Sequence, residues 1–444
     1  MSAIPQQARS AGPLLGTLVL LFAESSGVRY VALGGSNTCG HFIKRSSIHC
    51  ASHCKCFGAN CTFVGMLGDF MKKRGLAEHT KNNCVPAMGP EIVATCLDAN
   101  VPSDAGYATV EYLPNMNMGN RQEAYSREAY NSLLAGLYAR RVRTVVVEVC
   151  PDWGPNGGHR MIADAHETNA RSAEALGFPV VTAWGFPNIT ANRLLFGATH
   201  LSFEGNQYVA ERVAALFTSH RWPWETPTAL PAPARAAGAV ASTHCALGKE
   251  LSEHVLVSEG FAEVDIDHGM HATPKVGLVA TRPDAHLALC ARAAMQRVTS
   301  VFYLGFQVSH RKNRPLVGVA AVSCSGSCVC RVLISPARKL FAKDACTASS
   351  PCLFDTLREE KITVTQQLRL GVTNTAPLLN QIPFALQPPN CTCQVHIRPA
   401  LVHEGQNRSR LIVRSLVTAD LMQATNMNQI TASRLFQIAR RLQD

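Results

Sequence analysis

A serine flanked by glycines is the residue in this sequence whose setting points most directly to chemistry. Residues 30–40 read Tyr-Val-Ala-Leu-Gly-Gly-Ser-Asn-Thr-Cys-Gly, so an apolar run ends in two glycines and Ser36. Glycines allow a sharp turn that would project the serine hydroxyl at the carboxyl end of a strand. Ligands bind at that end of open α/β sheets, and a serine hydroxyl becomes nucleophilic once an adjacent base takes its proton. The alternative is an ordinary Gly-Gly-Ser turn.

Three other segments carry polar residues or a glycine at comparable places. Residues 197–206 read Gly-Ala-Thr-His-Leu-Ser-Phe-Glu-Gly-Asn, which places His200 just before an amphipathic helical stretch. Residues 83–89 read Asn-Cys-Val-Pro-Ala-Met-Gly and end on Gly89. Asn115 follows a buried strand in the segment Val-Glu-Tyr-Leu-Pro-Asn-Met-Asn, residues 110–117.

The elements that must position these residues alternate between strand and helix. Strands are predicted at residues 28–33, 108–112, 144–149 and 179–183, and helices at residues 62–74, 121–140, 161–176 and 205–217. Such alternation predicts a parallel sheet with helices on both faces, and the nearly all-apolar strands fit burial on two sides.

The second half of the chain has a different pattern, which begins after a Pro- and Ala-rich linker at residues 223–244. Short alternating runs at 275–280, 286–289, 299–306, 317–322, 361–364, 393–397 and 410–417 are separated by Gly, Pro, Asn and Ser clusters. Even spacing without helices predicts an antiparallel β-sandwich or jelly roll over residues 245–417. Residues 418–444 form a C-terminal tail with the pattern of an amphipathic helix.

The four polar segments resemble, in order and spacing, the blocks of the SGNH (GDSL-type) serine esterases and acylhydrolases. The resemblance is to the Gly-Gly-Ser variant with a cysteine-bearing, β-rich C-terminal domain, and it implies a flavodoxin-like α/β domain over residues 26–222. It implies that Ser36 is the nucleophile and His200 the general base. Gly89, Asn115 and the backbone N–H of Ser36 would form the oxyanion hole. No cofactor and no metal is implied.

One position departs from the family pattern. The histidine block of the family is Asp-x-x-His, and here Gly197 stands where the family has aspartate. A backbone carbonyl could orient His200 instead, or Glu204 or Asp152 could supply the acid, or the protein is a non-catalytic relative. The difference matters because loss of the aspartate lowers kcat about 10⁴-fold in the type triad.

Composition and charge limit the classes of function that this chain can have. A chain of 444 residues that is 47% apolar and 16% charged is expected to fold into two domains. The net charge of +11 comes from scattered Lys and Arg, without the dense basic block that nucleic-acid binding favours. The apolar run at residues 14–23 is too short to span a membrane.

Several features favour the secretory route. Arg9, the apolar run and Ala23-Glu24-Ser25 have the layout of a signal peptide over residues 1–25, although a buried first strand or helix is the alternative. Seventeen cysteines suit a disulfide-bonded protein outside the cytosol. Four N-x-Ser/Thr sites add glycosylation candidates at Asn60, Asn188, Asn390 and Asn407. The expected location is secreted or in the endomembrane lumen, with no integral membrane segment in the mature chain.

The cysteine spacing favours disulfides over zinc. The pairs Cys54/Cys56, Cys328/Cys330 and Cys391/Cys393 are C-x-C rather than the C-x₂-C of zinc sites. An odd number of cysteines leaves at least one thiol outside a disulfide, and Cys39 is expected to be buried or disulfide-bonded beneath the Ser36 turn.

The leading hypothesis is therefore a secreted serine esterase that hydrolyses an acyl or acetyl ester on a small molecule, a lipid or a glycan. Two alternatives remain. One is a catalytically degenerate glycan-binding protein, and the other is an O-acyltransferase that uses the same site on a sugar hydroxyl. Nucleic acid is not an expected partner.

Overall fold

The computed structural model describes residues 27–40, 61–116, 123–151, 158–184, 194–196, 200–225, 244–266, 276–290, 299–310, 319–332, 345–355, 357–358, 364–374, 391, 393–400 and 411–420. Several sequence predictions fall outside those residues: the signal peptide, most of the linker, most of the C-terminal tail, Asp152, Gly197 and the glycosylation candidates Asn60, Asn188, Asn390 and Asn407.

The first half of the chain is built on a five-stranded parallel sheet. Its strands are β1 (Arg29–Gly34), β2 (His79–Cys84), β3 (Ala105–Glu111), β4 (Arg143–Cys150) and β5 (Val180–Trp184). Their order is β2-β1-β3-β4-β5, and every neighbouring pair is parallel. This is the flavodoxin-like order, so the predicted fold class is confirmed. The order reverses between β1 and β3, the point at which such sheets bind ligands.

Helices connect these strands: α1 (Phe63–Lys73), α2 (Pro90–Thr95), α3 (Leu97–Asn100), α4 (Glu123–Ala139), α5 (Gly158–Glu174) and α6 (Phe203–Ser219). Helix α1 packs against α6, and α2 packs against α4. Short pieces complete this half: a 3₁₀ turn at Leu113–Asn115, the paired strands β6 (Leu195–Phe196) and β7 (His200–Leu201), and a 3₁₀ turn at Pro223–Glu225.

Strand β2 is the element of this sheet that the sequence pattern missed. Its residues, His-Thr-Lys-Asn-Asn-Cys, are polar, and only Cys84 is buried. The strand lies at the sheet edge and pairs with β1 alone. Because an edge strand is largely solvated, it lacks the apolar run by which the central strands were recognised.

The second half forms two further sheets. Their strands are β8 (His244–Leu247), β9 (Val255–Glu259), β10 (Phe261–Asp265), β11 (Val276–Ala280), β12 (His286–Cys290), β13 (Thr299–His310), β14 (Val319–Gly326), β15 (Cys328–Val332), β16 (Cys352–Asp355), β17 (Leu357–Arg358), β18 (Val364–Asn374), β19 (Cys393–Ala400) and β20 (Ile412–Asp420). One sheet has the order β10-β11-β20-β13-β18-β15, with β17 beside β13 and β8 beside β20; the other has the order β16-β14-β19-β12-β9. A 3₁₀ segment, Gly248–His254, follows β8.

The two sheets share one hydrophobic core, which makes this half a β-sandwich as predicted. Leu287, Val322 and Ile397 of one sheet lie in the same buried cluster as Phe302 and Val413 of the other. All described pairings are antiparallel except β13 with β17. Of the strand predicted at 361–364, the described residues include only Val364, which begins β18, and β18 continues to Asn374.

Disulfides fasten both halves, as the cysteine spacing predicted. The bonds are Cys39–Cys84, Cys96–Cys245, Cys290–Cys391, Cys324–Cys330, Cys328–Cys393 and Cys346–Cys352. Within the described residues, Cys150 is a free, buried thiol. No helix in the same residues combines the length and apolar character needed to cross a membrane.

Candidate active site

The turn that follows β1 carries Ser36 at the carboxyl edge of the parallel sheet. The Gly35 N–H donates to the backbone carbonyl of Glu111 on β3 at 3.1 Å, and the Cys39 N–H donates to the Gly35 carbonyl at 3.1 Å. A Cβ atom on Gly35 would lie 1.8 Å from Oδ1 of Asn115, so only glycine allows this close approach. The chain therefore turns sharply beneath Ser36, which is 8% exposed.

The histidine predicted from the distant block lies against this serine. Nε2 of His200 is 2.9 Å from Oγ of Ser36, although 164 residues separate them in sequence. His200 begins β7, directly before α6, whose first turn is capped by Ser202 through a 2.9 Å hydrogen bond from the Gly205 N–H. A neutral imidazole at this distance can accept the serine proton.

The other two predicted residues converge on the same edge. Asn115 ends the 3₁₀ turn after β3 and is 5% exposed, and its Oδ1 is buried without a hydrogen-bond partner in the described part of the chain. Gly89 is the N-cap of α2, and a Cβ atom built on it would lie 3.0 Å from the backbone carbonyl of Asn115. The Ser36, Gly89 and Asn115 segments are thus brought together from the ends of three strands.

Of the acids considered for orienting His200, only Glu204 lies among the described residues. Gly197 and Asp152 lie outside them, and Glu204 is an exposed residue in the first turn of α6. The residue after His200 is joined to the serine turn, because the Leu201 N–H donates a hydrogen bond to Oδ1 of Asn37 at 2.8 Å.

A buried carboxylate beneath the serine turn was missed by sequence reasoning. Glu111, the last residue of β3, is 0% exposed, and its carboxylate accepts hydrogen bonds from the backbone N–H groups of Gly35 and Thr38, from the Thr38 hydroxyl and from Nδ2 of Asn37. Burial raises the pKa of Glu111 to about 7, against the lowering effect of these hydrogen bonds. The available signal was a carboxylate inside an otherwise apolar predicted strand.

Asn37 links this carboxylate to the histidine. Its Nδ2 donates to Oε1 of Glu111 at 3.4 Å, while its Oδ1 accepts from the backbone of Leu201. One side-chain amide therefore connects the serine turn, β3 and the strand that carries His200. Since the two ends of this amide are a donor and an acceptor, its orientation is fixed by both partners.

The serine turn is also joined to the neighbouring strand. Cys39 forms a disulfide with Cys84 at the end of β2. This confirms the prediction that Cys39 is buried or disulfide-bonded. The Val85 N–H donates to the Gly34 carbonyl at 2.9 Å, and Nδ2 of Asn82 donates to the Thr38 carbonyl at 3.1 Å. The segment from Val85 to Gly89 is therefore hydrogen-bonded to the serine turn at its first residue.

A second buried acid lies further along the same edge. Glu148 on β4 is 1% exposed and lies 2.7 Å from Nδ1 of His166, whose ring meets the edge of Trp184 at a centroid distance of 4.9 Å. Burial raises the pKa of Glu148, and the contact with His166 opposes that rise. Nδ2 of Asn169 reaches Sδ of Met116, next to Asn115, at 3.2 Å. The Asn169 contact joins helix α5 to the residue that directly follows Asn115.

No metal centre accompanies these groups in the described ranges, where no three His, Cys, Asp or Glu side chains cluster so as to hold an ion. The described residues place a serine hydroxyl within hydrogen-bond distance of an imidazole, with buried amide and backbone groups around it. This arrangement suits nucleophilic acyl transfer.

Comparison with known proteins gives likenesses of structure only. No family model and no curated protein sequence matches the chain. The chain is similar to esterases. A two-domain esterase active on acetylated mannans has 14% identity and a TM-score of 0.48, covering 88% of this chain and 91% of that one. A GDSL-like lipase from Bacteroides thetaiotaomicron has 14% identity and a TM-score of 0.30, covering 43% of this chain and 87% of that one.

A third likeness is to a catalytic mutant of an acetylxylan esterase from Geobacillus stearothermophilus. It has 13% identity and a TM-score of 0.31, and the match covers 43% of this chain and 94% of that one. The family that the sequence motifs resemble is thus represented among these structures. Because the identities are this low, the likenesses carry no conclusion about the activity of this chain.

Proposed function

We propose that the protein is an SGNH-type serine esterase that hydrolyses acyl or acetyl esters. The observation that carries the proposal is the 2.9 Å contact between Oγ of Ser36 and Nε2 of His200 at the carboxyl edge of the sheet. Residues from distant parts of the sequence meet there at the ligand-binding edge of an α/β fold.

The proposed reaction has two steps. His200 Nε2 takes the hydroxyl proton as Ser36 Oγ attacks the ester carbonyl carbon, and the alcohol then leaves with that proton from His200. Water attacks the resulting acyl-enzyme, again losing its proton to His200, and the carboxylic acid is released. His200 then passes this proton to Ser36 Oγ, so a proton from water replaces the serine proton that left with the alcohol, and the net reaction, ester plus water to alcohol plus carboxylic acid, needs no cofactor.

The negative oxygen formed in each step would be stabilised by the backbone N–H groups of Ser36 and Gly89 and by the side-chain amide of Asn115. The convergence of these three segments supports that role.

Gly197 stands where the SGNH family has the aspartate that orients the histidine. The Asn37 amide supports the proposal here, because it holds the Leu201 backbone next to His200 and is itself held by buried Glu111. In this chain, therefore, part of the positioning that a triad aspartate provides comes from the serine turn.

The setting we propose is the secretory lumen or the extracellular space. Six described disulfides support it, because such bonds persist in oxidising compartments. We propose the domain division made from the sequence: a signal peptide at 1–25, the α/β domain at 26–222, a linker at 223–244, the β-sandwich at 245–417 and a tail at 418–444. The substrate we propose is an ester on a small molecule, a lipid or a glycan.

The test is hydrolysis of p-nitrophenyl acetate and of acetylated mannan and xylan by the full chain, with the acetate released measured directly. Ser36→Ala and His200→Ala should each abolish turnover while the circular dichroism spectrum stays unchanged. Ser36→Ala with full activity would refute the site. A folded wild type that releases no acetate but binds the polysaccharides would favour the glycan-binding alternative. Acetate transferred to an added sugar instead of water would favour the acyltransferase.

A further inference from the structure

An arginine of the β-sandwich reaches into the α/β half beside Gly89. Arg414 lies on β20 and is 1% exposed, and its Nη2 donates to the backbone carbonyl of Pro86 at 3.2 Å. The contact spans 328 residues of sequence. Pro86 belongs to the loop between β2 and α2, which ends at the proposed oxyanion-hole residue Gly89.

This loop has a conformation that needs support from outside. Ala87, directly after Pro86, has φ of +58°, a left-handed backbone that side-chain-bearing residues seldom adopt. The loop closes on itself through a hydrogen bond from the Met88 N–H to the Val85 carbonyl at 3.1 Å. Such backbones persist where surrounding contacts hold them. The carbonyl that Arg414 binds belongs to the peptide unit immediately before the left-handed residue.

The far end of the same segment is fastened to the same part of the sandwich. Cys96, which caps the C-terminus of α2, is disulfide-bonded to Cys245 on β8. Strand β8 pairs with β20, with Cys245 opposite Val417. Residues from Pro86 to Cys96 are therefore attached at one end to β20 by Arg414 and at the other end to its neighbour β8.

The sandwich also makes room for the arginine. A Cβ atom on Gly277 of β11 would lie 3.2 Å from Cδ of Arg414, so the missing side chain at Gly277 leaves space for the arginine stem. The strand pairing places β11 directly beside β20. Arg414 is thus held along its stem within its own sheet and presents its guanidinium to the other half of the protein.

We infer that Arg414 is a positioning residue for residues 85–89, here called the oxyanion loop. Through this contact the β-sandwich completes the esterase site of the α/β domain. This inference rests on the proposed function for its catalytic meaning. Its structural part, the holding of residues 85–89, does not depend on that function. The sandwich is then a component of the catalytic apparatus and not simply an appended binding module.

The experiment compares Arg414→Met, Arg414→Lys and wild type as full-length chains. Met keeps an unbranched apolar stem but cannot donate to Pro86, whereas Lys retains a donor. Arg282→Met removes an exposed arginine from the same sandwich and is the matched control. Two quantities are measured: hydrogen exchange at the amides of Ala87, Met88 and Gly89, and kcat and KM on p-nitrophenyl acetate.

We expect Arg414→Met to exchange faster at these amides and to lose about 10- to 100-fold in kcat with little change in KM, since a displacement of about 1 Å in catalytic groups can cost ~10²-fold. Arg414→Lys should show smaller changes than Arg414→Met in both amide exchange and kcat, and the control Arg282→Met should match wild type. If Arg414 only stabilised the fold, Arg414→Met would not lower kcat selectively relative to KM, and Arg414→Lys would not recover kcat.

Unchanged exchange, or faster exchange with unchanged kcat, would overturn the inference. Failure of the proposed function would be visible separately as a folded wild type without turnover, and exchange would then still decide whether Arg414 holds the loop. If Arg414→Met does not fold, Gly277→Ala crowds the arginine stem without removing the charge. That variant should shift exchange and kcat in the same direction by a smaller factor, and wild-type values for both would overturn the inference.

Discussion

Replacing Glu111 by glutamine tests how the serine turn and the histidine are held together. The substitution is nearly isosteric but gives one end of the side chain two N–H donors. Oε2 accepts from the backbone of Gly35 and from Thr38, and the new amide oxygen can serve those three donors. The amide nitrogen then faces Nδ2 of Asn37, which is also a donor.

This donor–donor conflict must be relieved at Asn37. If Asn37 turns its amide over, its oxygen satisfies the glutamine, but the Leu201 N–H loses the acceptor that lies 2.8 Å away. A buried donor left without an acceptor costs about 1–3 kcal/mol. Because Leu201 follows His200 directly, we expect kcat to fall about 10- to 100-fold, in line with the cost of displacing a reacting group.

The pH dependence of stability gives a second readout, independent of activity. The pKa of Glu111 is raised by burial from its ordinary value of 4.5 to about 7, so the folded state binds the proton more tightly than the unfolded state. The stabilisation is complete below pH 4.5 and is lost as pH rises through about 7, at a total of about 3 kcal/mol. Glutamine has no proton to lose, so Glu111→Gln lacks this decline.

The assay is urea unfolding of wild type, Glu111→Gln and the exposed control Glu174→Gln between pH 4 and pH 8, with kcat measured on the same preparations. From pH 4 to pH 8, the unfolding free energy of wild type should fall by about 3 kcal/mol relative to that of Glu111→Gln. The control should follow wild type. A Glu111→Gln variant with the wild-type pH slope and wild-type kcat would refute the reasoning.

Three further predictions concern the same site. Asn115→Ala should lower kcat by ~10²–10³ with little effect on KM, as expected for loss of an oxyanion donor, and steady-state kinetics checks this. Gly35→Ala should lower both the melting temperature and kcat, because its methyl group would lie 1.8 Å from Oδ1 of Asn115; thermal unfolding and acetate release measure the two effects, and an unchanged melting temperature would contradict the packing. Gly197→Asp should raise kcat by placing a carboxylate where the SGNH family has its aspartate, and an unchanged or lower kcat would show that a carboxylate at this position does not assist the imidazole.

Local pattern was sufficient to predict the main architecture. The buried strands β1, β3, β4 and β5 are apolar runs separated by helical periodicity, and the sandwich strands alternate between turn clusters. Both signals arise within a few residues, so a single sequence carries them. Strand β2 was not predicted, because its residues are polar and lie at the edge of the sheet. It is a strand because it pairs with β1, and burial contributes little.

The candidate site was predictable to the extent that its residues form short blocks. Ser36 and His200 stand in segments of recognisable type, and the structure brings them within 2.9 Å. Glu111 and Asn37 belong to two of the same blocks, yet their contact depends on the pairing of β1 with β3, which no local pattern states. The contact of Arg414 with Pro86 is still harder to predict, because it joins residues that lie 328 positions apart in two halves with separate hydrophobic cores.

The central claim, that Ser36 is a nucleophile activated by His200, is tested most directly by reaction with a fluorophosphonate followed by intact-mass measurement and peptide mapping. We predict that the full-length protein takes up one phosphonyl group, on the peptide that contains Ser36, and that Ser36→Ala and His200→Ala take up none. A well-folded wild type that remains unmodified, or a label that persists in Ser36→Ala, would contradict the account.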